Sequence, residues 1–187
     1  FPPAGWSIVD NDPSATWERT DNGAWWITGG DGFYACINDD AVINHQANDY
    51  LVMPPINLTT FEAYTLNFRS FFNSLYGGSA YVTYSPDGGN TWNDFYTVPE
   101  LNAWVDIAID LSGFTGAGAP EQIWFAFRYY DNGFWADGWA IDNVQVNRDA
   151  NNIDYYVYMD AGYVGTTPEK TWNYAPLTYG LEYTAAV

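Results

Sequence analysis

Two stretches of the chain decide its fold class: residues 64–72, YTLNFRSFF, and residues 122–130, QIWFAFRYY. In both stretches apolar and polar side chains alternate, which places every second side chain on one face of a β-strand. That pattern predicts strands with one face in a core, and helical periodicity is almost absent elsewhere. The chain is therefore predicted to be all-β, an antiparallel jelly-roll β-sandwich.

Further strand-like runs lie on either side of these two stretches, with Gly, Asn, Asp and Pro between them. We predict strands at Trp25–Thr28, Phe33–Ile37, Tyr50–Met53, Ala80–Ser85, Phe95–Val98, Trp104–Asp110 and Trp139–Asn147. Together with the first two, they would form one domain over residues 1–147.

The end of the chain follows a different pattern. Residues 148–152, RDANN, are predicted to be a linker. Short strands are then predicted at Tyr155–Asp160, Gly162–Thr167, Thr171–Tyr174 and Leu181–Val187. Because an independent β-sandwich domain needs about 100 residues, the segment 153–187 is either incomplete or completed by something else.

Composition narrows the function classes. The 187 residues are 48% hydrophobic, enough for a sizeable core, and carry 5 Lys+Arg against 23 Asp+Glu, a net charge of −18. A field of that sign repels phosphate backbones and anionic lipid, so nucleic-acid and membrane partners are disfavoured, while cation binding is favoured.

The single cysteine, Cys36, excludes an internal disulfide and a thiolate zinc cluster. No apolar run reaches the roughly 20 residues of a membrane helix. Since no leader precedes Phe1, we expect that any signal peptide has been removed and that the protein is extracellular.

Four segments of the first domain resemble one family. They are residues 1–6 (FPPAGW, followed by Asp10-Asn11-Asp12 and Trp17), 48–58 (NDYLVMPPINL), 81–92 (YVTYSPDGGNTW) and 139–146 (WAIDNVQV). In this order they resemble the choice-of-anchor J and cleaved-adhesin domains, relatives of the MAM jelly rolls. Such domains occur in secreted and surface proteins of Bacteroidetes, including the haemagglutinin–adhesin regions of gingipains. The resemblance implies a non-catalytic adhesion or binding module.

The final segment resembles part of a fibronectin type III-like module. The resemblance rests on residues 156–160 (YVYMD), 164–167 (VGTT) and 177–184 (LTYGLEYT). The opening and closing strands of such a module are not evident. The segment could belong to a longer surface protein, or a neighbouring copy could supply the missing strands by β-augmentation.

Calcium is the cofactor that these features suggest. Asp10 and Asp12 place carboxylate oxygens two residues apart on a turn, and calcium takes six to eight oxygen ligands. The family resemblance implies a structural calcium where the first strand meets the last, which carries over to Asp10, Asp12 and Asp142, with Asp49 as a weaker candidate. The alternative is that Asp10 and Asp12 are solvated turn formers.

The loop 131–138, DNGFWADG, is the candidate ligand site. It is polar and glycine-rich, yet it contains Phe134 and Trp135, and sugars bind proteins by stacking on aromatic rings while carboxylates accept from their hydroxyls. We therefore predict ligand contact by Phe134, Trp135 and Asp137. The alternative is that Trp135 only anchors the loop to the core, where Phe68, Phe125, Phe127 and Trp139 are expected.

Catalysis is not favoured by the remaining motifs. Residues 85–92, SPDGGNTW, fit the Asp-box pattern of sialidase propellers, but the motif occurs once and is interpreted as a hairpin turn. Cys36 lies in an apolar run, where a free cysteine is usually a buried hydrophobe, and His45 has no evident orienting partner. A glycosidase carboxylate pair cannot be judged from sequence spacing.

Three functions follow from the sequence. The first is a calcium-stabilised adhesion or binding module whose partner is a host or environmental glycan or a surface protein. The second is a carbohydrate-binding module of a secreted degradative enzyme. The third is a subunit of an extracellular filament in which neighbouring copies complete the tail by strand exchange.

Overall fold

The strands of the computed structural model confirm the all-β prediction. It describes residues 1–21, 26–27, 29–30, 32–43, 46–58, 63–116 and 118–148, and the backbone alone of 149, 155–159, 162–167 and 185–186. In chain order the strands are β1 (Ser7–Val9), β2 (Glu18–Thr20), β3 (Tyr34–Asn38), β4 (Asn48–Val52), β5 (Ala63–Asn73), β6 (Ser79–Ser85), β7 (Asn93–Thr97), β8 (Leu101–Asp110), β9 (Trp124–Tyr130), β10 (Gly138–Asp149), β11 (Tyr155–Met159), β12 (Gly162–Thr167) and β13 (Ala185–Ala186). Two 3-10 turns lie at Asp39–Ala41 and Ser112–Phe114.

Two antiparallel five-stranded sheets form the sandwich. The first has the order β1-β4-β9-β6-β7 and the second the order β2-β3-β10-β5-β8. The long strands β5 and β9 each lie inside a sheet, and the alternation read in the sequence points Leu66, Phe68, Phe125 and Phe127 into the core between the sheets. Antiparallel sheets can keep their other face in water, which explains the polar residues between these positions.

Aromatic rings fill the centre of the core. Phe68 contacts Phe127 edge to face with ring centroids 5.0 Å apart, and Trp17 meets Trp139 at 5.4 Å. The indole Nε1–H of Trp139 donates to the Ser70 hydroxyl at 2.9 Å, so this buried polar group is satisfied. The predicted burial of Phe68, Phe125, Phe127 and Trp139 is confirmed.

A second, smaller cluster covers the outer face of the second sheet. It consists of Trp26, Tyr34, Cys36, Phe71 and Ala140. Cys36 and Ile37 are neighbours on β3 and therefore face opposite sides: Ile37 enters the main core and Cys36 the outer cluster.

Some predicted boundaries differ from the structure. Trp26 and Ile27 are not in a strand but lie against the outer cluster, while Trp25 and Thr28 are outside the described residues. The structure adds β1 and β2, and β10 continues to Asp149, so the first two residues of the predicted linker belong to a strand.

The tail contains a separate sheet with the order β12-β11-β13. The strand predicted at Gly162–Thr167 is confirmed, and the strand predicted at Tyr155–Asp160 ends at Met159. The predicted strand Thr171–Tyr174 lies outside the described residues, as does most of Leu181–Val187.

Candidate functional site

One end of the sandwich gathers the loops that the sequence singled out. The register pairs Gly138 with Asn38 and Asn73, and Tyr130 with Asn48 and Ser79. The β9–β10 loop, the Asp39–Ala41 turn, the start of β4 and the β5–β6 turn therefore meet at this end, which we call the loop end.

Asp131 fixes the conformation of the β9–β10 loop through hydrogen bonds to its buried carboxylate. Its carboxylate is buried and accepts hydrogen bonds from the backbone N–H of Ala47 at 2.9 Å and of Gly133 at 2.7 Å. Its backbone carbonyl accepts from Phe134 N–H at 3.2 Å, which closes a turn. These bonds fix where the next residues of the loop emerge.

Trp135 is exposed yet held in place. Its side chain is 48% exposed, and its Nε1–H donates to the backbone carbonyl of Asp40 at 3.2 Å. Tyr76 on the β5–β6 turn stacks against the indole with ring centroids 5.7 Å apart and planes 26° apart. Phe134 and Leu75 are also exposed. Together Leu75, Tyr76, Phe134 and Trp135 form an aromatic ridge, of which the sequence predicted only Phe134 and Trp135.

Asp137 does not join this ridge. It is only 1% exposed, so its carboxylate cannot accept from a ligand at the surface beside Trp135. The prediction of Asp137 as a ligand contact is therefore corrected. Burial raises its pKa, and the negative charges of Asp40 and Asp39 raise it further.

Tyr129 lies among these buried carboxylates. Burial raises the pKa of its hydroxyl, and so do the charges of Asp39, Asp131 and Asp137, in that order. One Asp39 oxygen accepts from the backbone N–H of Ala136 at 2.9 Å. The Asp39–Ala41 turn and the β9–β10 loop thus bring several carboxylates close to Tyr129.

The four predicted calcium ligands do not form one group. Asp49 is buried and accepts from Asn11 N–H at 2.8 Å, and Asp12 accepts from Gln46 N–H at 3.1 Å. Both bonds connect the segment after β1 to the start of β4. Asp10 is exposed just beyond β1. Asp142 lies four residues along β10 from Gly138, about 13 Å away at the rise of a strand.

Asp142 has different surroundings. It lines a cavity of about 270 Å³ with Phe1, Trp6 and Leu51. In the described part of the chain, no three Asp, Glu, His or Cys side chains form a group able to hold a metal ion. One ion bound by all four predicted residues does not fit this arrangement.

A surface that the sequence did not predict lies on the outer face of the first sheet. The register aligns Tyr50, Arg128 and Tyr81 across β4, β9 and β6. The Arg128 guanidinium lies 5.7 and 5.5 Å from the ring centres of Tyr50 and Tyr81, and bonds Asp94 at 2.7 Å. In the sequence these residues are visible only as polar and aromatic positions that alternate with core residues. The register between the strands is needed to show that the three side chains form one row.

The surroundings of Cys36 do not suit a catalytic nucleophile. Cys36 is fully buried, and its pKa is raised by burial and by the charge of Glu18. His45 lies outside the described residues. The Asp-box segment is the β6–β7 turn, in which the Asp87 carboxylate accepts from Thr91 N–H at 2.9 Å and Thr91 Oγ1–H at 2.8 Å. Its interpretation as a hairpin turn is confirmed.

Comparison with known proteins places this geometry among jelly rolls. No protein-family model matches the chain. Bacillopeptidase F of Bacillus subtilis (strain 168) is 29% identical over 147 residues, which are 76% of this chain and 10% of that protein. The chain therefore spans about a tenth of the length of this relative.

Three solved structures share the fold at low identity. The K2 cleaved adhesin domain of Lys-gingipain has a TM-score of 0.56 and 17% identity, covering 78% of this chain and 91% of that one. TmCBM61 in complex with β-1,4-galactotriose has a TM-score of 0.51 and 12% identity, covering 78% and 90%. The enzymatically active domain of tailspike protein 4 from bacteriophage CBA120 has a TM-score of 0.54 and 13% identity, covering 78% and 20%. These likenesses support the adhesin-like jelly roll.

Proposed function

We propose that the chain is an extracellular, non-catalytic module of a longer protein and binds carbohydrate at the aromatic ridge. The observation that carries the proposal is the exposed Tyr76–Trp135 stack, fixed by the hydrogen bond from Trp135 to Asp40. A ring that is held in place loses little conformational freedom on binding, which favours affinity.

The chemistry of the ridge suits a sugar. CH groups of a pyranose stack on aromatic rings, and its hydroxyls need polar partners nearby. Asn132 adjoins the ridge and donates from Nδ2 to the carbonyl of Gly77 at 2.5 Å, which leaves its side-chain carbonyl oxygen as a possible acceptor. The loop end therefore combines apolar rings with amide and backbone oxygens.

The fold is compatible with both binding and catalysis. The K2 structure is an adhesin domain and TmCBM61 was solved with a galactotriose, whereas the tailspike domain is enzymatically active. We favour binding because the described cysteine is buried and the Asp box serves as a turn. As a fold can carry unrelated functions, the ridge itself is the argument.

The proposal is tested by screening a glycan array with the wild-type chain and Trp135→Ala. We expect the wild type to bind a defined set of glycans and the variant to lose about fivefold or more in affinity, since stacking on an aromatic side chain contributes about 1 kcal/mol or more. Phe33→Ala is the matched control, because Phe33 is 49% exposed but precedes β3 at the opposite end. Equal binding by wild type and Trp135→Ala would reject the ridge.

The Arg128 row offers a second surface for the same function. Its half-buried tyrosines flank a cation, although Asp94 already pairs that charge. Tyr81→Ala belongs in the same screen: loss of binding in this variant alone would move the site to the sheet face. A blank array for every variant would favour a protein partner, and a solution mass well above the monomer would favour the filament.

We also propose a structural calcium at the N-terminal turn. The family resemblance implies Asp10, Asp12 and Asp142 as its ligands, but because Asp49 lies beside Asn11 we propose that Asp49 takes the place of Asp142. Carboxylates at the ends of β1 and β4 would then be clamped together. Asp12→Asn should reduce any calcium-dependent rise in melting temperature, and an unchanged rise would reject this site.

A further inference from the structure

A groove of about 510 Å³ runs over the outer face of the second sheet, where β10, β5 and β8 lie side by side. The register aligns two rows of residues across these strands: Gln145–Asn67–Ala108 and Asp142–Arg69–Asp106. Phe68, between Asn67 and Arg69 on β5, enters the core, so both rows face outward. Gln145 lies about 20 Å along β10 from Gly138 at the loop end, and the groove is therefore separate from the aromatic ridge.

The amide side chains of this groove have unused hydrogen-bonding capacity. Asn143, Gln145 and Asn147 are exposed on β10, and their amide groups make no hydrogen bond within the described residues. Asn67 donates from Nδ2 to the Thr65 carbonyl at 3.2 Å, which leaves its side-chain oxygen as an acceptor. Each amide offers donors and an acceptor in one plane, an arrangement that suits the neighbouring hydroxyl groups of a sugar ring.

Arg69 is held in place at the end of the groove nearest the outer cluster. Its Nε lies 3.5 Å from a carboxylate oxygen of Asp106, and its guanidinium lies 5.5 Å from a ring centre of Trp104. These contacts leave other N–H groups of the guanidinium as donors, since it carries five. A donor that is ordered before binding loses little conformational freedom on binding, which favours affinity.

A β-bulge in β10 brings a further amide to the groove. The register with β5 shifts between Asp142 and Gln145, and Asn143 within the bulge has a φ of +52°. Positive φ is uncommon for residues other than glycine, and bulges re-aim side chains beside functional sites. Asn143 lines the groove. A ligand contact by Asn143 would account for this costly backbone geometry.

We propose that this groove is a second carbohydrate site, which binds an uncharged oligosaccharide through hydrogen bonds from Asn67, Arg69 and Gln145. The ligand is uncharged because Asp106 already pairs the charge of Arg69, and the net charge of −18 repels acidic sugars. A protein partner would require an apolar centre, whereas the outward-facing apolar side chain of the groove is only that of Ala108. The proposal does not depend on the aromatic ridge.

The test measures the affinities of wild type, Gln145→Ala, Asn67→Ala and Trp135→Ala for neutral and acidic oligosaccharides on an array. Besides the glycans that Trp135→Ala loses, we expect at least one neutral oligosaccharide that this variant binds as well as the wild type. Gln145→Ala and Asn67→Ala should each bind that oligosaccharide about fivefold more weakly, the loss expected for about one hydrogen bond. Asn93→Ala is the matched control, because Asn93 is an exposed amide on β7 of the other sheet and should bind like the wild type.

The melting temperature of Gln145→Ala should equal that of the wild type, since Gln145 is exposed, so that lost binding is not lost folding. If Asn67→Ala melts lower, Arg69→Lys replaces it, because lysine keeps the charge but not the planar fork of donors. Equal binding of every neutral oligosaccharide by wild type, Gln145→Ala and the second groove variant would overturn the proposal. Binding of acidic glycans alone would overturn it too.

The same variants distinguish the failure of this proposal from the failure of the ridge. Loss of all binding in Trp135→Ala, with none in the groove variants, would support the ridge and overturn the groove. Loss in the groove variants, with none in Trp135→Ala, would support the groove and reject the ridge. A wild type that binds no glycan would overturn both.

Discussion

Trp135 shows at the scale of single residues how an aromatic ring can be both exposed and ordered. Tyr76 covers one side of the indole, and the Asp40 carbonyl accepts its N–H. The neighbouring Asp137 points the other way and is buried. Two residues apart in the loop, these side chains serve different purposes: one is available to a ligand, and the other belongs to the interior.

The chemistry of Cys36 gives the first prediction. Its side chain is fully buried in the outer cluster with Tyr34 and Phe71, and burial raises its pKa, so the reactive thiolate is scarce in the native protein. We expect a thiol reagent such as DTNB to leave Cys36 unmodified in buffer and to modify one thiol per chain in denaturant. Rapid modification of the folded protein would contradict the burial of Cys36.

The burial of Asp137 could not be predicted from the sequence around it. In the loop DNGFWADG, it looks like any other polar loop residue. Its burial comes from the Asp39–Ala41 turn, nearly a hundred positions earlier in the chain, and no local pattern carries that information. Phe134 and Trp135 were identifiable because large aromatics in a polar, glycine-rich loop are unusual.

At the scale of elements, the β6–β7 turn depends on one carboxylate. Asp87 accepts from both the backbone and the hydroxyl of Thr91, and the Ser85 hydroxyl lies 2.8 Å from it. Gly88 and Gly89 have φ of +77° and +89°, which side chains other than glycine rarely adopt. The Ser-x-Asp-x-Gly-x-Thr-Trp pattern is therefore explained by turn geometry.

Asp87→Asn should weaken this turn and lower the melting temperature at neutral pH. Hydrogen bonds from Thr91 and Ser85 hold the pKa of Asp87 below its usual value, so its contribution is present above the unfolded-state pKa. The contribution is lost as the pH falls through the lowered folded-state value. Melting curves of both proteins at pH 7 and near pH 2 should differ at the first and converge at the second. A constant difference would show that ionisation of Asp87 is irrelevant.

The strands show which elements a sequence can predict. β5 and β9 are long enough for the alternation to repeat, and both were predicted to within two residues at each end. β1 and β2 have three residues each, too few for a period of two to be visible. Trp26 and Ile27 looked strand-like because they are apolar, but their apolar surface covers the outer cluster instead.

At the scale of the whole molecule, one loop at the loop end holds both an exposed ring and a buried carboxylate. Trp135, Ala136 and Asp137 are consecutive, so the position of Trp135 depends on how Asp137 packs. The part of the chain that the structure describes contains no helix long and apolar enough to cross a membrane.

The strand directions also determine where this domain would connect to a longer chain. β1 runs towards the loop end, since Ser7 pairs with Val52 and Val9 with Tyr50, and β10 starts at that end with Gly138. The polypeptide thus enters β1 and leaves β10 on the side away from the ridge. The twelve residues of β10 span about 40 Å, which is the distance between the loop end and the point where the chain leaves the strand. Both connections of the sandwich to a longer chain would then lie at one end, and the aromatic ridge would face away from them.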